Sequence, residues 1–79
     1  MVKLVYHGEL RELVGIAEEE IDAASMKEVF RYLTDRHGKQ VGQIAKTGLV
    51  TLDGRKVIDV NESLSSGSVV GFHPLCTGG

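Results

Sequence analysis

The clearest local signal in the sequence is Ser25-Met-Lys-Glu-Val-Phe-Arg-Tyr-Leu-Thr-Asp-Arg-His-Gly38, near the middle of the chain. Ser25 precedes an apolar pattern of helical spacing, and Glu28 follows three residues later. Each of these side chains can therefore bond the other's free backbone N–H, as at the start of a helix. Gly38 is placed to end the helix. The pattern predicts one long helix with a buried side formed by Met26, Val29, Phe30 and Leu33.

Strands are predicted on the N-terminal side of this helix. In residues 2–7 apolar side chains occupy every second position, the pattern of a strand with one buried side. A short helical turn follows, which Gly15 is placed to close. Its apolar stripe comprises Leu10, Leu13 and Val14. Residues 18–23 contain three adjacent glutamates but keep an apolar alternation, which predicts an exposed edge strand protected by charge.

The C-terminal side of the helix also predicts strands. Residues 40–47 have a weak helical pattern and predict at most one more turn. Residues 49–58 predict a hairpin, because Asp53-Gly54 is a preferred two-residue turn. Residues 68–73 predict the last strand. Pro74 lacks a backbone N–H and cannot continue the hydrogen-bonded ladder, so residues 74–79 are expected to form a flexible Gly-Gly tail.

This order of elements predicts an α+β protein with the β-grasp (ubiquitin-like) fold. One main helix has to cover one face of a mixed four- to five-stranded sheet, because neither element can bury its apolar side alone. The domain is expected to span residues 1–73. In this arrangement the first and last strands lie parallel at the sheet centre. His7 and His73 are then expected to lie close together on the face away from the helix.

Composition narrows the classes of function. A chain of 79 residues buries only about 60% of its unfolded surface, too little for a deep active site, so we do not expect it to catalyse alone. Its net charge of −2 and lack of a basic cluster argue against nucleic-acid binding. No apolar run approaches the roughly 20 residues that cross a membrane, and no signal peptide is evident. The single cysteine, Cys76, fits a reducing compartment, so we expect a cytoplasmic protein.

The ending Gly78-Gly79 is the candidate for chemistry. A C-terminal carboxylate is activated as an acyl-adenylate inside a partner's nucleotide site, where a β-carbon on the last residues would collide. Six residues from Pro74 onward reach about 20 Å when extended, which is enough to enter such a site. A sulfur donor can then displace AMP to give a thiocarboxylate. The alternative is that Gly-Gly is a frayed end without function.

Three segments carry a resemblance to a known family: Arg11-Glu-Leu-Val-Gly15, the strand from Ser68 to Phe72, and the ending Phe72-His-Pro-Leu-Cys-Thr-Gly-Gly79. The chain resembles the MoaD/ThiS-type ubiquitin-like sulfur carriers, and more the MoaD-like small subunit of molybdopterin synthase than ThiS. The resemblance implies that Gly79 is adenylated by an ATP-using enzyme of the ubiquitin-activating type and receives sulfur from a donor. It also implies insertion into the large catalytic subunit of molybdopterin synthase, with no cofactor bound by the chain itself.

The tail departs from the family pattern at Leu75 and Cys76, where proline and valine are usual, which leaves the pathway open. The sheet face without a helix and the tail are expected to form one surface for partner binding, because an exposed apolar patch usually marks an interface. We predict that this surface contains Val5, His7, Val57, Val69, Phe72, His73, Pro74, Leu75, Cys76 and Thr77.

Several residues allow a second interpretation. Cys76 is either a nucleophile near the reactive end or a small apolar residue, and the second is favoured because no nearby group lowers its pKa. His7 and His73 are favoured as docking residues over metal ligands, since two ligands leave a zinc site incomplete. The glutamates at 18–20 are favoured as a solvated run over a steering patch. His37 is expected to interact with the helix dipole.

Three functions remain open from the sequence. The first is a sulfur carrier, most simply for the molybdenum or tungsten cofactor, with thiazole or amino-acid synthesis as other pathways. The second is a ubiquitin-like modifier that forms isopeptide bonds with lysines and shares the same activation step. The third is an interaction module in which the tail has no role.

Overall fold

The computed structural model describes residues 1–75 of the chain. The predicted tail residues 76–79 lie outside the described part. Strands and helices follow in this order: β1 (Val2–Tyr6), α1 (Gly8–Val14), β2 (Glu18–Ile21), α2 (Met26–His37), α3 (Lys39–Thr47), β3 (Leu49–Leu52), β4 (Arg55–Lys56) and β5 (Val69–His73).

The five strands form one mixed sheet in the order β2-β1-β5-β3-β4. The first and last strands, β1 and β5, pair in parallel, and the other neighbours are antiparallel. The predicted β-grasp sheet with its parallel central pair is therefore confirmed. β2 lies at one edge, as its glutamates indicated, and β4 lies at the other.

The helices cover one face of this sheet. α2 begins where Ser25 Oγ accepts a hydrogen bond from the Glu28 N–H at 3.4 Å, so the predicted start is confirmed. Gly38, at φ 102°, ends it. The core contains Val2, Leu4, Tyr6, Leu10, Ile21, Met26, Val29, Phe30, Leu33, Val41, Ala45, Val50, Leu52, Val70 and Phe72. Leu13 was expected on the buried side of α1 but is 44% exposed, whereas Leu10 is fully buried.

Residues 39–47 form more structure than their weak pattern indicated. The single further turn expected there is a nine-residue helix, α3, which buries Val41 and Ala45 against the core. Gly42 allows α3 to approach α2 closely, because a Cβ at this position would collide with the Thr34 hydroxyl oxygen. Close packing on α2 thus compensates for the poor helix propensity of Gly42. Among the described residues, no helix has the length and apolar character needed to cross a membrane.

Candidate functional site

The open face is the side of the sheet away from the helices. Paired residues on neighbouring strands share a face, and side chains alternate along each strand. The register therefore assigns to the open face Lys3, Val5, His7, Leu49, Thr51, Lys56, Val69, Gly71 and His73. Leu49 and Val69 are 41% and 39% exposed. The open face thus presents apolar side chains to solvent at the centre of the sheet. Towards its edges it carries charges of both signs, because the same register adds Glu18 and Glu20 of β2 to Lys3 and Lys56.

His7 and His73 lie side by side on the open face, as predicted. Their rings are stacked, with centroids 4.4 Å apart and planes inclined by 11°. The Nε2 atom of His73 lies 3.5 Å from Thr51 Oγ1. Gly71 makes room for this arrangement, since a Cβ there would lie 3.0 Å from His73 Nε2 and 2.7 Å from Thr51 Oγ1. The His73 side chain is thereby held against the sheet where the last strand ends.

Phe72 does not belong to the exposed surface on which it was predicted. It is fully buried and stacks on Tyr6, with ring centroids 5.9 Å apart. Its other neighbour is Phe30 of α2, at 6.2 Å in an edge-on arrangement. The reason is the alternation along β5, which directs residues 70 and 72 to the helices and residues 69, 71 and 73 to the open face. Phe72 is a core residue.

Val57 was also predicted on the wrong side of the sheet. It packs against the hydrophobic core. The turn at Asp53 and Gly54 pairs Leu52 with Arg55, and the Val57 N–H donates to the carbonyl of Val50. Val57 therefore lies opposite the buried Val50 and faces the helices. Of the predicted docking residues in the strands, Val5, Val69, His7 and His73 remain on the open face.

Leu49 and Thr51 are among the residues of the open face that the predicted partner-binding surface did not include. Leu49 pairs with His73, and Thr51 pairs with Gly71. Leu49 thus extends the apolar surface up to the point where β5 ends. The signal was present in the sequence, because the Asp53-Gly54 turn fixes the alternation of the hairpin. What was absent was the knowledge that β3 is the strand paired with β5.

The tail root is defined here as His73, Pro74 and Leu75, the residues with which the chain leaves the sheet. Leu75 is 64% exposed. Gly48, between α3 and β3, lies against the tail root so closely that a Cβ would stand 2.5 Å from the His73 carbonyl oxygen. The tail root therefore begins at His73, one of the two stacked histidines. The predicted site residues Cys76, Thr77, Gly78 and Gly79 lie outside the described residues.

A second polar cluster lies at the edge of the helix-covered side. Glu19 accepts hydrogen bonds from the hydroxyls of Tyr6 at 2.6 Å and Tyr32 at 2.5 Å. His37 Nε2 lies 2.7 Å from the same carboxylate. The prediction that residues 18–20 form a solvated run is therefore wrong for Glu19, whose side chain is only 17% exposed. His37, expected to interact with the helix dipole, binds this carboxylate.

Electrostatics in this cluster favour a charged Glu19 and neutral tyrosines. Burial alone would raise the pKa of the Glu19 carboxyl, but the hydrogen bonds from Tyr32, Tyr6 and His37 outweigh it and lower that pKa. Burial, and then the hydrogen bond to Glu19, raises the pKa of Tyr6 and of Tyr32. The cluster joins β2 to α2 and stabilises the fold on the side opposite the open face.

Within residues 1–75, no group of three or more His, Cys, Asp and Glu side chains is placed to hold a metal ion. The His7 and His73 rings face each other in a stack.

Similarity to known proteins was found among solved structures. No protein-family model matches the chain, and no curated protein matches it either. Among solved structures, a putative molybdopterin converting factor subunit 1 from Pyrococcus furiosus is similar, with 27% identity, a TM-score of 0.73, and coverage of 92% of this chain and 94% of that one.

Two further structures are similar in fold. A chain of the complex of subunits 1 and 2 of the molybdopterin-converting factor from Helicobacter pylori matches with 20% identity and a TM-score of 0.75, covering 99% of this chain and 97% of that one. The small archaeal modifier protein 1 of Haloferax volcanii matches with 17% identity and a TM-score of 0.74, covering 92% and 94%. The expected resemblance to MoaD-type β-grasp proteins is confirmed.

Proposed function

We propose that the chain is a sulfur carrier whose Gly79 carboxylate is adenylated and converted to a thiocarboxylate. The observation that carries this proposal is the placement of the tail root. β5 is a central strand, and it delivers His73 and Pro74 to the margin of an exposed, partly apolar sheet face. A partner that binds this face is thereby positioned to receive residues 76–79.

The proposed chemistry takes place in partner proteins. An activating enzyme joins the Gly79 carboxylate to the α-phosphate of ATP and releases pyrophosphate. Sulfide equivalents from a sulfur donor then attack the acyl carbon, so that a C–S bond forms and AMP leaves. Gly78 and Gly79 present no side chain to the activating site, and an extended run of six residues spans about 20 Å from the sheet.

The open face supplies a surface for docking. Leu49, Val5 and Val69 provide apolar contact area, and the stacked histidines lie beside the tail root. Exposed apolar surface of this kind is common at interfaces. We infer that one face serves both the activating enzyme and the protein that accepts the sulfur, because both have to reach the same tail. The partners would then bind one after the other.

Molybdopterin synthesis is the pathway that the similar structures favour. The relative from Pyrococcus furiosus is described as a putative molybdopterin converting factor subunit 1, and the Helicobacter pylori structure contains subunits 1 and 2 together. By analogy, we propose that this chain acts as the small subunit of molybdopterin synthase and inserts its tail into a large catalytic subunit. Catalysis would reside in that large subunit, and the chain itself would need no bound cofactor.

A second candidate function is protein modification. It is favoured by the similarity to the small archaeal modifier protein 1 of Haloferax volcanii. Such a modifier would share the adenylated Gly79 but transfer its acyl group to a lysine amine. The fold and the tail root serve both outcomes equally well.

Intact-mass spectrometry distinguishes these functions. The chain is incubated with ATP, sodium sulfide and the adenylating enzyme encoded in the same genome. We expect a gain of about 16 Da, the replacement of one oxygen by sulfur. A chain lacking Gly79 serves as the control and should not change. Ladders of lysine conjugates would favour the modifier, and an unchanged mass in both chains would contradict activation altogether.

A further inference from the structure

Most glycines among residues 1–75 have a positive φ, which favours glycine. Gly48 does not, and glycine is needed there because a neighbouring backbone leaves no space for a Cβ. Its backbone angles, φ −92° and ψ −170°, are open to any residue. The space beside it is not open, because a Cβ would lie 2.5 Å from the His73 carbonyl oxygen and 2.9 Å from the Pro74 Cα. Both obstacles are backbone atoms of the tail root, which a rotamer change cannot move away. Gly48 therefore allows the end of α3 to lie directly against the departing chain.

The opposite side of the tail root is also held. The His73 ring is stacked on His7 and lies near the Thr51 hydroxyl. The backbone of His73 pairs with Leu49, the residue that follows Gly48. His73 is thus fixed by its side chain on the open face, by the β3 ladder along one edge, and by Gly48 at its carbonyl.

We propose that Gly48 is a positioning residue that sets the direction in which the tail leaves the sheet. This role rests on the proposed function of the tail. The tail starts at His73, so a shift of the tail root moves the point from which residues 76–79 have to reach a partner's site. A misplacement of about 1 Å at a reacting group can cost about 100-fold in rate.

A direct test compares two alanine variants of the same segment. In Gly48→Ala the new methyl group meets the tail root. In Gly42→Ala, the matched control, it meets the Thr34 side chain of α2 instead. Backbone N–H residual dipolar couplings of His73 and Leu75 are measured against an alignment fitted to the other strands. We expect changed couplings in Gly48→Ala and wild-type couplings in Gly42→Ala. Unchanged couplings in Gly48→Ala would overturn the proposal.

Loading kinetics provide the functional part of the test. With ATP, sulfide and the activating enzyme, kcat/KM for loading should fall about 10- to 100-fold in Gly48→Ala and stay within about twofold of wild type in Gly42→Ala. Equal loading of Gly48→Ala and wild type would overturn the positioning role while leaving the sulfur-carrier function intact. A wild-type chain that is never loaded would instead contradict the proposed function.

A third variant keeps the proposal testable if Gly48→Ala does not fold. Pro74→Gly loosens the same peptide from the tail side and leaves Gly48 and the domain unchanged. If the tail root of the wild type is fixed as proposed, Pro74→Gly should reduce the Leu75 residual dipolar coupling towards zero. Loading of this variant should also slow several-fold. A Leu75 coupling already averaged in the wild type, and unaffected by Pro74→Gly, would contradict a fixed root.

Discussion

Two aromatic pairs on the central strands lie one residue apart and on opposite faces of the sheet. Tyr6 and Phe72 stack beneath the helices, with their rings inclined by 17°, and both are almost completely buried. His7 and His73 stack on the open face, inclined by 11°, and His7 is exposed. The same parallel register produces both pairs. Their different surroundings give them different roles.

Burial decides which pair stabilises the fold. Tyr6 and Phe72 remove large apolar surfaces from water and contact Phe30 of α2, so they gain both hydrophobic and aromatic energy. The histidines gain mainly a stacking contact and remain accessible to a partner. One register can thus serve both stability and recognition, because neighbouring residues of a strand face opposite sides of the sheet.

The largest expected effect is on the buried pair. Phe72→Ala should lower the free energy of unfolding by about 3–5 kcal/mol, the usual cost of removing a core phenylalanine. Chemical denaturation monitored by circular dichroism measures it. A loss below about 1 kcal/mol would show that Phe72 is not the core residue described here, and the contrast between the two pairs would fail.

A substitution of Glu19 tests the polar cluster that this residue forms with Tyr6, Tyr32 and His37. Glu19→Gln should cost about 1–3 kcal/mol, because an amide that also carries donors faces the hydroxyls of Tyr6 and Tyr32. Glu20→Gln is the matched control. Glu20 is exposed on the same strand, and its change should stay within about 0.5 kcal/mol. Equal effects of the two substitutions in denaturant titrations would refute the cluster.

The pH dependence of stability provides a further test of Glu19. Because its pKa is lowered in the folded state from 4.5, its contribution is complete above pH 4.5 and is lost as the pH falls through the folded-state pKa. The difference in unfolding free energy between wild type and Glu19→Gln should therefore be constant near neutral pH and shrink in acid. A difference that grows as the pH falls would have the wrong sign.

The contribution of Tyr6 to stability depends on pH in the opposite direction. Its raised pKa means that its contribution is present below pH 10.0, the ordinary pKa, and is lost as the pH rises above that value. Tyr6→Phe should reduce the alkaline loss of stability, and Tyr32, whose pKa is also raised, should retain its own part of it. Thermal unfolding between pH 8 and pH 11, a window around the tyrosine pKa of about 10, measures this loss, and an equal loss in wild type and Tyr6→Phe would contradict the prediction.

The smallest effect on stability is expected at the exposed pair. His73→Ala should lower the free energy of unfolding by only about 0.5 kcal/mol, the low end for an aromatic pair. Binding to the activating enzyme should weaken more than this, which isothermal titration calorimetry can measure. A stability loss as large as that of Phe72→Ala would make the histidines structural and remove the distinction between the faces.

Much of the fold was predictable, because periodicity and turn chemistry act locally. The strands at both ends and the start of α2 at Ser25 followed from residue patterns, and the parallel central pair followed from the fold that the order of elements predicts. Phe72 and Val57 were misplaced although the alternation of residues 69–73 and the Asp53-Gly54 turn contained the answer. Phe72 was predicted to share the surface of the tail, and Val57 to share the open face of the sheet, but side-chain alternation along each strand directs both residues to the helices.

Other features depend on tertiary contacts that no local pattern encodes. Glu19 stands in a run of three glutamates, and only the approach of α2 to β2 distinguishes it from Glu18 and Glu20. Gly48 similarly follows a helix in a position typical of any C-terminal stop. Its contact with His73 and Pro74 arises because β3 pairs with β5.

Tandem mass spectrometry of the loaded chain tests whether Gly79 carries the sulfur as a thiocarboxylate. After incubation with ATP, sulfide and the activating enzyme, we predict a gain of about 16 Da located at Gly79, and the same gain in a Cys76→Ser variant. The absence of this gain at Gly79, or its loss in Cys76→Ser, would contradict a thiocarboxylate formed at the Gly79 carboxylate without help from the Cys76 thiol.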